Sequence, residues 1–219
     1  MKYPLLFLIL SATLLSAKKP CELWWEETLD KNVSMETFRG WLGDAQTESR
    51  VKFRRHLRDK GYTNMLDAAC GLCIDYWGIQ QDKISIDYTG VDVTEKLVTA
   101  NCARGINVVN GSIEKIPFPD NTFEITYGRH ILEHLEGYKK ALSELIRCAK
   151  KETLITFFLN PTNEHMDKYS SDIVDGYQLY HNTYSKQGVE HFVLGNPKVD
   201  RIEWELVGER EEYLHIYLK

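Results

Sequence analysis

Two acids at the ends of strand-like runs are the residues of this 219-residue chain best placed to do chemistry. Asp67 stands in Leu-Asp-Ala-Ala-Cys-Gly-Leu-Cys at 66–73, where an apolar run ends in an acid, small residues and one glycine, and a helical pattern follows. A parallel strand turns sharply into a helix in this way, leaving backbone N–H groups at the turn for a ligand. Asp92 closes Tyr-Thr-Gly-Val-Asp at 88–92, 21 residues after Gly71. A glycine turn followed about 20 residues on by an acid able to accept both hydroxyls of a ribose is the layout of a nucleoside-binding α/β crevice.

Two further groupings suggest other chemistry. Cys70-Gly-Leu-Cys73 is a C-x-x-C at the same turn, the spacing of a dithiol that cycles to a disulfide. His130-Ile-Leu-Glu-His134 is an H-x-x-E-H. On a helix its two histidines would share a face and could bind zinc, with Glu133 as general base; no clear third ligand stands out, Glu144 and His165 being the candidates. Gly137 follows at once and shortens any such helix. The plainer reading makes Glu133 and His134 fixers of a loop through local hydrogen bonds, with no metal.

The elements that must position these groups alternate. Strands are expected at Tyr62–Ala68, Tyr88–Val93, Ile106–Val109, Glu124–Tyr127 and Thr153–Leu159, and helices at Leu72–Gln80, Glu95–Arg104, Tyr138–Ala149 and Ser185–Leu194. Residues 116–123 read as a turn-rich loop, Asn160-Pro161 as a strand terminator, and Asn160–Tyr184 as a long loop or small lid. Val199–Val207 and Glu212–Leu218, joined by Gly208-Glu209-Arg210, read as a terminal hairpin. The fold class expected is α/β: a Rossmann-like, doubly wound, seven-stranded sheet with an antiparallel C-terminal hairpin and an N-terminal helical cap. The division expected is an apolar N-terminal segment at 1–19, a helical cap at 20–60 and the main domain at 61–219. Trp24, Trp25 and Trp41 in the cap are candidates for a lid, though packing on the sheet is the plainer role of each.

A net charge of −5 gives no whole-chain reason to expect nucleic-acid binding. The one basic run, 51–60, reads as the wet face of a helix. Five cysteines at irregular spacing do not make a disulfide framework and suit a reducing compartment. Residues 3–17 point the other way: an apolar stretch after Lys2, ending in Ser16-Ala17, resembles a secretory signal or a membrane anchor. Leu15 fits a cleavage site poorly, and about 15 residues rise only ~22 Å as a helix, short of a ~30 Å hydrocarbon core. A cytoplasmic catalytic domain is expected, with membrane association through 3–17 or secretion as alternatives; the sequence sets no oligomeric state.

Four segments in order make the chain resemble the class I S-adenosylmethionine-dependent methyltransferases of the type 11 group, over roughly residues 61–160. They are the 66–73 loop, Gly-Val-Asp-Val at 90–93, the run 111–124, and His-Ile-Leu-Glu-His-Leu at 130–135. The resemblance implies S-adenosyl-L-methionine as cofactor and a small-molecule acceptor methylated on oxygen or nitrogen. It implies that Asp67 and the backbone of Ala69, Cys70 and Gly71 meet the cofactor's amino-acid end, that Asp92 and Val93 meet the ribose, and that Ser112 and Ile113 meet the adenine. Tyr127 and Arg129 would face cofactor and substrate, and Arg50 would reach the cofactor carboxylate or an anionic substrate. His130 and then His134 are the candidate bases, Tyr127 is a further catalytic candidate, and Tyr127, Tyr180 and His181 are expected in the acceptor pocket. Two departures stand out: Cys73 replaces the second glycine of the loop, and Ser112 stands where the family often has an acid. A non-catalytic nucleoside binder, and a zinc or thiol-redox enzyme, are the alternatives.

Overall fold

The structure, a computed structural model, describes residues 19–30, 40 and 43–219. The 3–17 segment and Trp41 lie outside the described residues. Among those described, no helix is long and apolar enough to cross a membrane.

In chain order the elements are α1 (Pro20–Asp30), α2 (Glu48–Lys60), β1 (Asn64–Ala68), α3 (Ile74–Gln81), β2 (Asp87–Asp92), α4 (Glu95–Cys102), β3 (Val108–Asn110) and β4 (Phe123–Arg129). A 3-10 turn at Leu132–His134 follows, then α5 (Lys139–Cys148), β5 (Ala149–Phe157), β6 (Ser171–Val174), β7 (Tyr177–Tyr180), α6 (Lys186–Leu194), β8 (Val199–Val207) and β9 (Glu211–Leu218). Seven strands form one sheet in the order β3-β2-β1-β4-β5-β9-β8. The first five are parallel, and β9 runs antiparallel between β5 and β8. The doubly wound sheet with its antiparallel edge is the one expected from the alternation of periods.

Each face of the sheet is covered for a reason visible in the sequence. Helix α5 carries Ala141, Leu142, Leu145 and Ile146 on one stripe, all essentially excluded from water against β4 and β5. Burial of each of the larger three stabilises the fold by about 1.5–3 kcal/mol. On the other face, Phe53 and Leu57 of α2 enter a core with Met65, Ile125 and Leu154. Helix α2 therefore packs on the sheet and is not a free cap. The basic run is exposed at Arg55, Arg58 and Lys60 and partly at Lys52; Arg54 is buried, its guanidinium 2.7 Å from Asp82 Oδ2 and donating to the Ala45 carbonyl at 2.6 Å. Gly61, at φ 63°, closes the helix in the left-handed region that glycine adopts without penalty.

Residues 160–184 are not simply a loop. Strands β6 and β7 pair as a hairpin around Asp175 and Gly176, both at positive φ, the conformation a two-residue Asp-Gly turn requires. Tyr177 donates a hydrogen bond to Glu27, holding α1 against the hairpin.

Candidate active site

The sheet order reverses between β1, which leads outward to β2 and β3, and β4, which leads to β5. Ligands of open α/β sheets bind outside the carboxyl ends of the strands at such a point. A cavity of about 440 Å³ lies there, large enough for a nucleoside-sized ligand. Asp67 near the end of β1, Asp92 at the end of β2 and Arg129 at the end of β4 all line it.

The turn after β1 is tightly held. Ala69, Gly71 and Cys73 all sit at positive φ (61°, 53° and 54°). For the two non-glycine residues that conformation costs about 1–2 kcal/mol each. Cys73 thus occupies the family's second glycine position with the backbone angle of a glycine, and the loop still closes. Cys70 N–H donates to the Val91 carbonyl (3.1 Å) and Gly71 N–H to Asp92 Oδ2 (2.8 Å), while Asn101 Nδ2 donates to the Gly71 carbonyl (2.8 Å). Gly90 makes room for this packing, because a Cβ there would lie 2.7 Å from Cys70 Sγ.

This corrects one expectation. The amides of Cys70 and Gly71 are not left for a ligand; β2 has taken both. Positive charge in the cavity wall comes from Arg50, buried and ion-paired with Asp75, and from Arg129. Arg50 reaches the wall because it lies in the first turn of α2.

The two carboxylates differ in setting. Asp67 is 3% exposed and accepts a hydrogen bond from Tyr88 Oη at 2.6 Å. Burial, and then the neighbouring Asp75, push its pKa up to about 8 against the opposing pull of Tyr88 and Arg50. Burial also raises Asp92, but the amides of Thr94 (2.9 Å) and Gly71 draw it back. Each Asp92 oxygen accepts one of these amides and keeps acceptor capacity for a hydroxyl. A diol fits this carboxylate, and a cationic group fits Asp67. Val93, Ser112 and Ile113 continue the wall. Ser112 Oγ donates to Glu22 Oε1 at 3.0 Å, so helix α1 brings a carboxylate beside the position where the family often carries an acid. Trp25 of α1 lines the cavity as well, and Trp24 packs edge-on against it with ring centres 4.8 Å apart.

The other half of the cavity is aromatic. His130, His134, Phe158 and His181 line it. His134 stacks on Phe158 at 5.3 Å and meets His181 edge-on at 5.5 Å. His134 Nδ1 lies 2.9 Å from the Tyr180 carbonyl. A carbonyl only accepts, so Nδ1 carries the proton and Nε2 of the neutral ring holds a lone pair. Burial lowers the pKa of both His130 and His134. His130 Nε2 sits 2.6 Å from Glu211 Oε1, outside hydrogen-bond alignment, and Glu211 also receives Arg129 Nη2 at 2.5 Å. Burial raises Glu211, but His130, Ser49 and Arg129 outweigh it and hold its carboxyl at about 2.

Several sequence expectations change here. Tyr127 does not face the cavity: it is fully buried, its ring stacked on Phe53 at 3.9 Å and its hydroxyl 3.1 Å from Thr156 Oγ1. Alternation along β4 turns its side chain into the core under α2, so the catalytic role expected of it is withdrawn. Tyr180 contributes its carbonyl to His134 and is not part of the lining. The H-x-x-E-H segment is a 3-10 turn preceded by His130 at φ 50°, so no α-helical face presents the two histidines together. Glu133 is buried and accepts the amides of Phe158 (2.8 Å) and Leu159 (3.4 Å), fixing the loop after β5. Among the described residues the one metal-type cluster lies elsewhere and contains neither histidine. Cys70 and Cys73 are free thiols, and the hydrogen bond between them together with burial pushes the Cys70 thiol up, opposite to an activated redox pair. Glu22, Asp75 and Phe158 join the lining without a sequence motif.

Comparison with known proteins agrees with this geometry. Residues 66–157 match the methyltransferase domain family. Ajmaline N-methyltransferase of Rauvolfia serpentina is 29% identical over 98 residues, 42% of this chain and 34% of that protein. Demethylmenaquinone methyltransferase of Listeria monocytogenes is 27% identical over 113 residues, 46% of this chain and 47% of that protein. The matched region therefore spans less than half the length of these relatives. The fold is shared with 1,6-didemethyltoxoflavin-N1-methyltransferase of Burkholderia thailandensis, solved with S-adenosylhomocysteine (TM-score 0.63, 13% identity, 93% of this chain and 92% of that one). Residues 66–157 are thus similar to a methyltransferase domain, and the chain shares its fold with a solved methyltransferase.

Proposed function

We propose that this protein transfers a methyl group from S-adenosylmethionine to a small-molecule acceptor, on oxygen or nitrogen. The observation that carries the reading is the pair Asp67 and Asp92, on the tips of adjacent strands and facing one cavity. When bound, the cofactor supplies an electrophilic methyl group on a sulfonium. Asp67 matches the cofactor's ammonium, Arg50 its carboxylate, Asp92 the ribose diol, and Ser112, Ile113 and Glu22 the adenine pocket. Rate then comes from holding the acceptor in line and excluding water. Trp25, Phe158 and the histidine rings line this side of the cavity with aromatic surface suited to an aromatic or conjugated acceptor. His134 Nε2 takes the acceptor proton, since its ring is buried, neutral near pH 7 and oriented by the Tyr180 carbonyl. His130 is the second base candidate.

The test is a calorimetric titration with S-adenosylhomocysteine beside a methyl-release assay over a panel of aromatic hydroxyl and amine acceptors. One-site binding with turnover of at least one acceptor class supports the reading. Binding without turnover across the panel favours a non-catalytic nucleoside binder. No binding removes the proposal.

A further inference from the structure

Six residues back along β5 from Phe158, roughly 20 Å at the rise of a strand, a second group of chemically capable side chains is buried. Glu152 is fully excluded from solvent. Its Oε1 lies 2.7 Å from His215 Nδ1, and its Oε2 lies 2.8 Å from His56 Nε2 and accepts from Tyr62 Oη at 2.6 Å. The two imidazole rings are 5.0 Å apart. One nitrogen from each histidine and one carboxylate oxygen fall within 4.8 Å of one another. Beyond His215, Nε2 faces Glu205 Oε2 at 3.5 Å. Three elements distant in sequence, α2, β5 and β9, supply the set, and the methyl-transfer reading gives it no task.

Two imidazoles and a carboxylate are a donor set for a borderline divalent ion such as zinc. A tetrahedral site with bonds of about 2.0–2.1 Å spaces its ligand atoms by roughly 3.4 Å, within the range these atoms cover. With a metal ion in place of the Nδ1 proton, the Glu205 carboxylate, 3.5 Å from Nε2, would stand as the outer-shell partner of the ligating His215. Tyr62 donates to the Glu152 oxygen in the same way. The side chain of His56 is 15% exposed against 0% for Glu152, so the cluster is reached from the His56 side.

We propose that His56, Glu152 and His215 form a structural site for zinc or a similar divalent metal ion, bound through His56 Nε2, His215 Nδ1 and a Glu152 oxygen. The ion would tie the middle of α2 to β5 and β9. The first turn of that helix carries Ser49, which accepts from Arg129 at 2.7 Å, and Arg50 of the cavity wall. Metal at this point would steady one side of the methyl-transfer cavity without touching a substrate.

The experiment uses the full chain, treated with chelator and then titrated with zinc chloride or cobalt(II) chloride. Elemental analysis after dialysis, the visible bands of low-coordinate cobalt and the shift in melting temperature are read. The expected result is one zinc per chain, a cobalt spectrum displaced by zinc, and a melting temperature that rises with zinc. His56→Gln and His215→Gln each weaken binding by at least ~100-fold, and Glu205→Gln by about 10- to 100-fold. Circular dichroism verifies that the variants are folded, and His56→Gln, at the most exposed of the three positions, keeps the test usable if His215→Gln does not fold. Substoichiometric zinc in the wild-type chain identifies the cluster as a proton-linked hydrogen-bond network and overturns the proposal. So does undiminished zinc binding by a folded His56→Gln chain.

Discussion

The sharpest consequence of the cavity concerns the proton on Asp67. Burial and Asp75 hold this carboxyl at about 8, so close to nine-tenths of the free protein carries it protonated at pH 7. A ligand ammonium favours the ionised form, so binding must expel the proton. Linkage then makes affinity fall as pH drops, approaching tenfold per unit below the free-state value. Between pH 8 and pH 6.5 the loss amounts to roughly tenfold. Calorimetry with S-adenosylhomocysteine in phosphate and Tris buffers reads both the affinity and the protons released; close to one proton should leave per ligand at pH 6.5. Asp67→Asn should abolish the release and flatten the profile. The unliganded chain supplies an independent check. Its folded state binds this proton more tightly than the unfolded state does, so stability drains as pH rises from about 4 toward 8. Asp67→Asn should therefore raise the melting temperature more at pH 8 than at pH 5. Equal affinities at pH 6.5 and 8, with no proton release in the wild-type chain, would refute the reasoning.

Three other outcomes follow from the same geometry. Asp92→Ala should weaken S-adenosylhomocysteine by about 10- to 100-fold in a titration, because both ribose hydroxyls lose a charged acceptor. His134→Gln should lower kcat by about 100-fold or more with cofactor affinity nearly unchanged, and at saturating cofactor the acid limb of the wild-type kcat profile should lie below that of a free histidine, because burial lowers the ring's pKa. Tyr127→Phe should leave kcat unchanged and cost about 0.5–1.5 kcal/mol in denaturant unfolding, since the hydroxyl's hydrogen bond to Thr156 is lost.

Most of the sheet was legible because each parallel strand ends in a marked turn and each helix has a clear stripe, as Ala141, Leu142, Leu145 and Ile146 illustrate. Asp67 and Asp92 were legible from spacing alone. The hairpin within 160–184 could have been read from Asp175-Gly176, a strong turn signal set between Ile173-Val174 and the β-favouring Tyr177. Tyr127 was misplaced because position at a strand end does not say which way alternation turns a side chain. The spent amides of Cys70 and Gly71 were invisible because their acceptors, the Val91 carbonyl and Asp92, belong to the next strand. Glu22, Glu211 and the His56–Glu152–His215 cluster depend on long-range packing of elements whose local patterns say nothing about one another.

A crystal structure of the full chain with S-adenosylhomocysteine examines the central claim most directly. The account predicts both ribose hydroxyls on the Asp92 carboxylate, the ammonium on Asp67, and the sulfur turned toward His134 and Phe158. A nucleoside bound elsewhere, or one in this cavity with neither acid touching it, would contradict it.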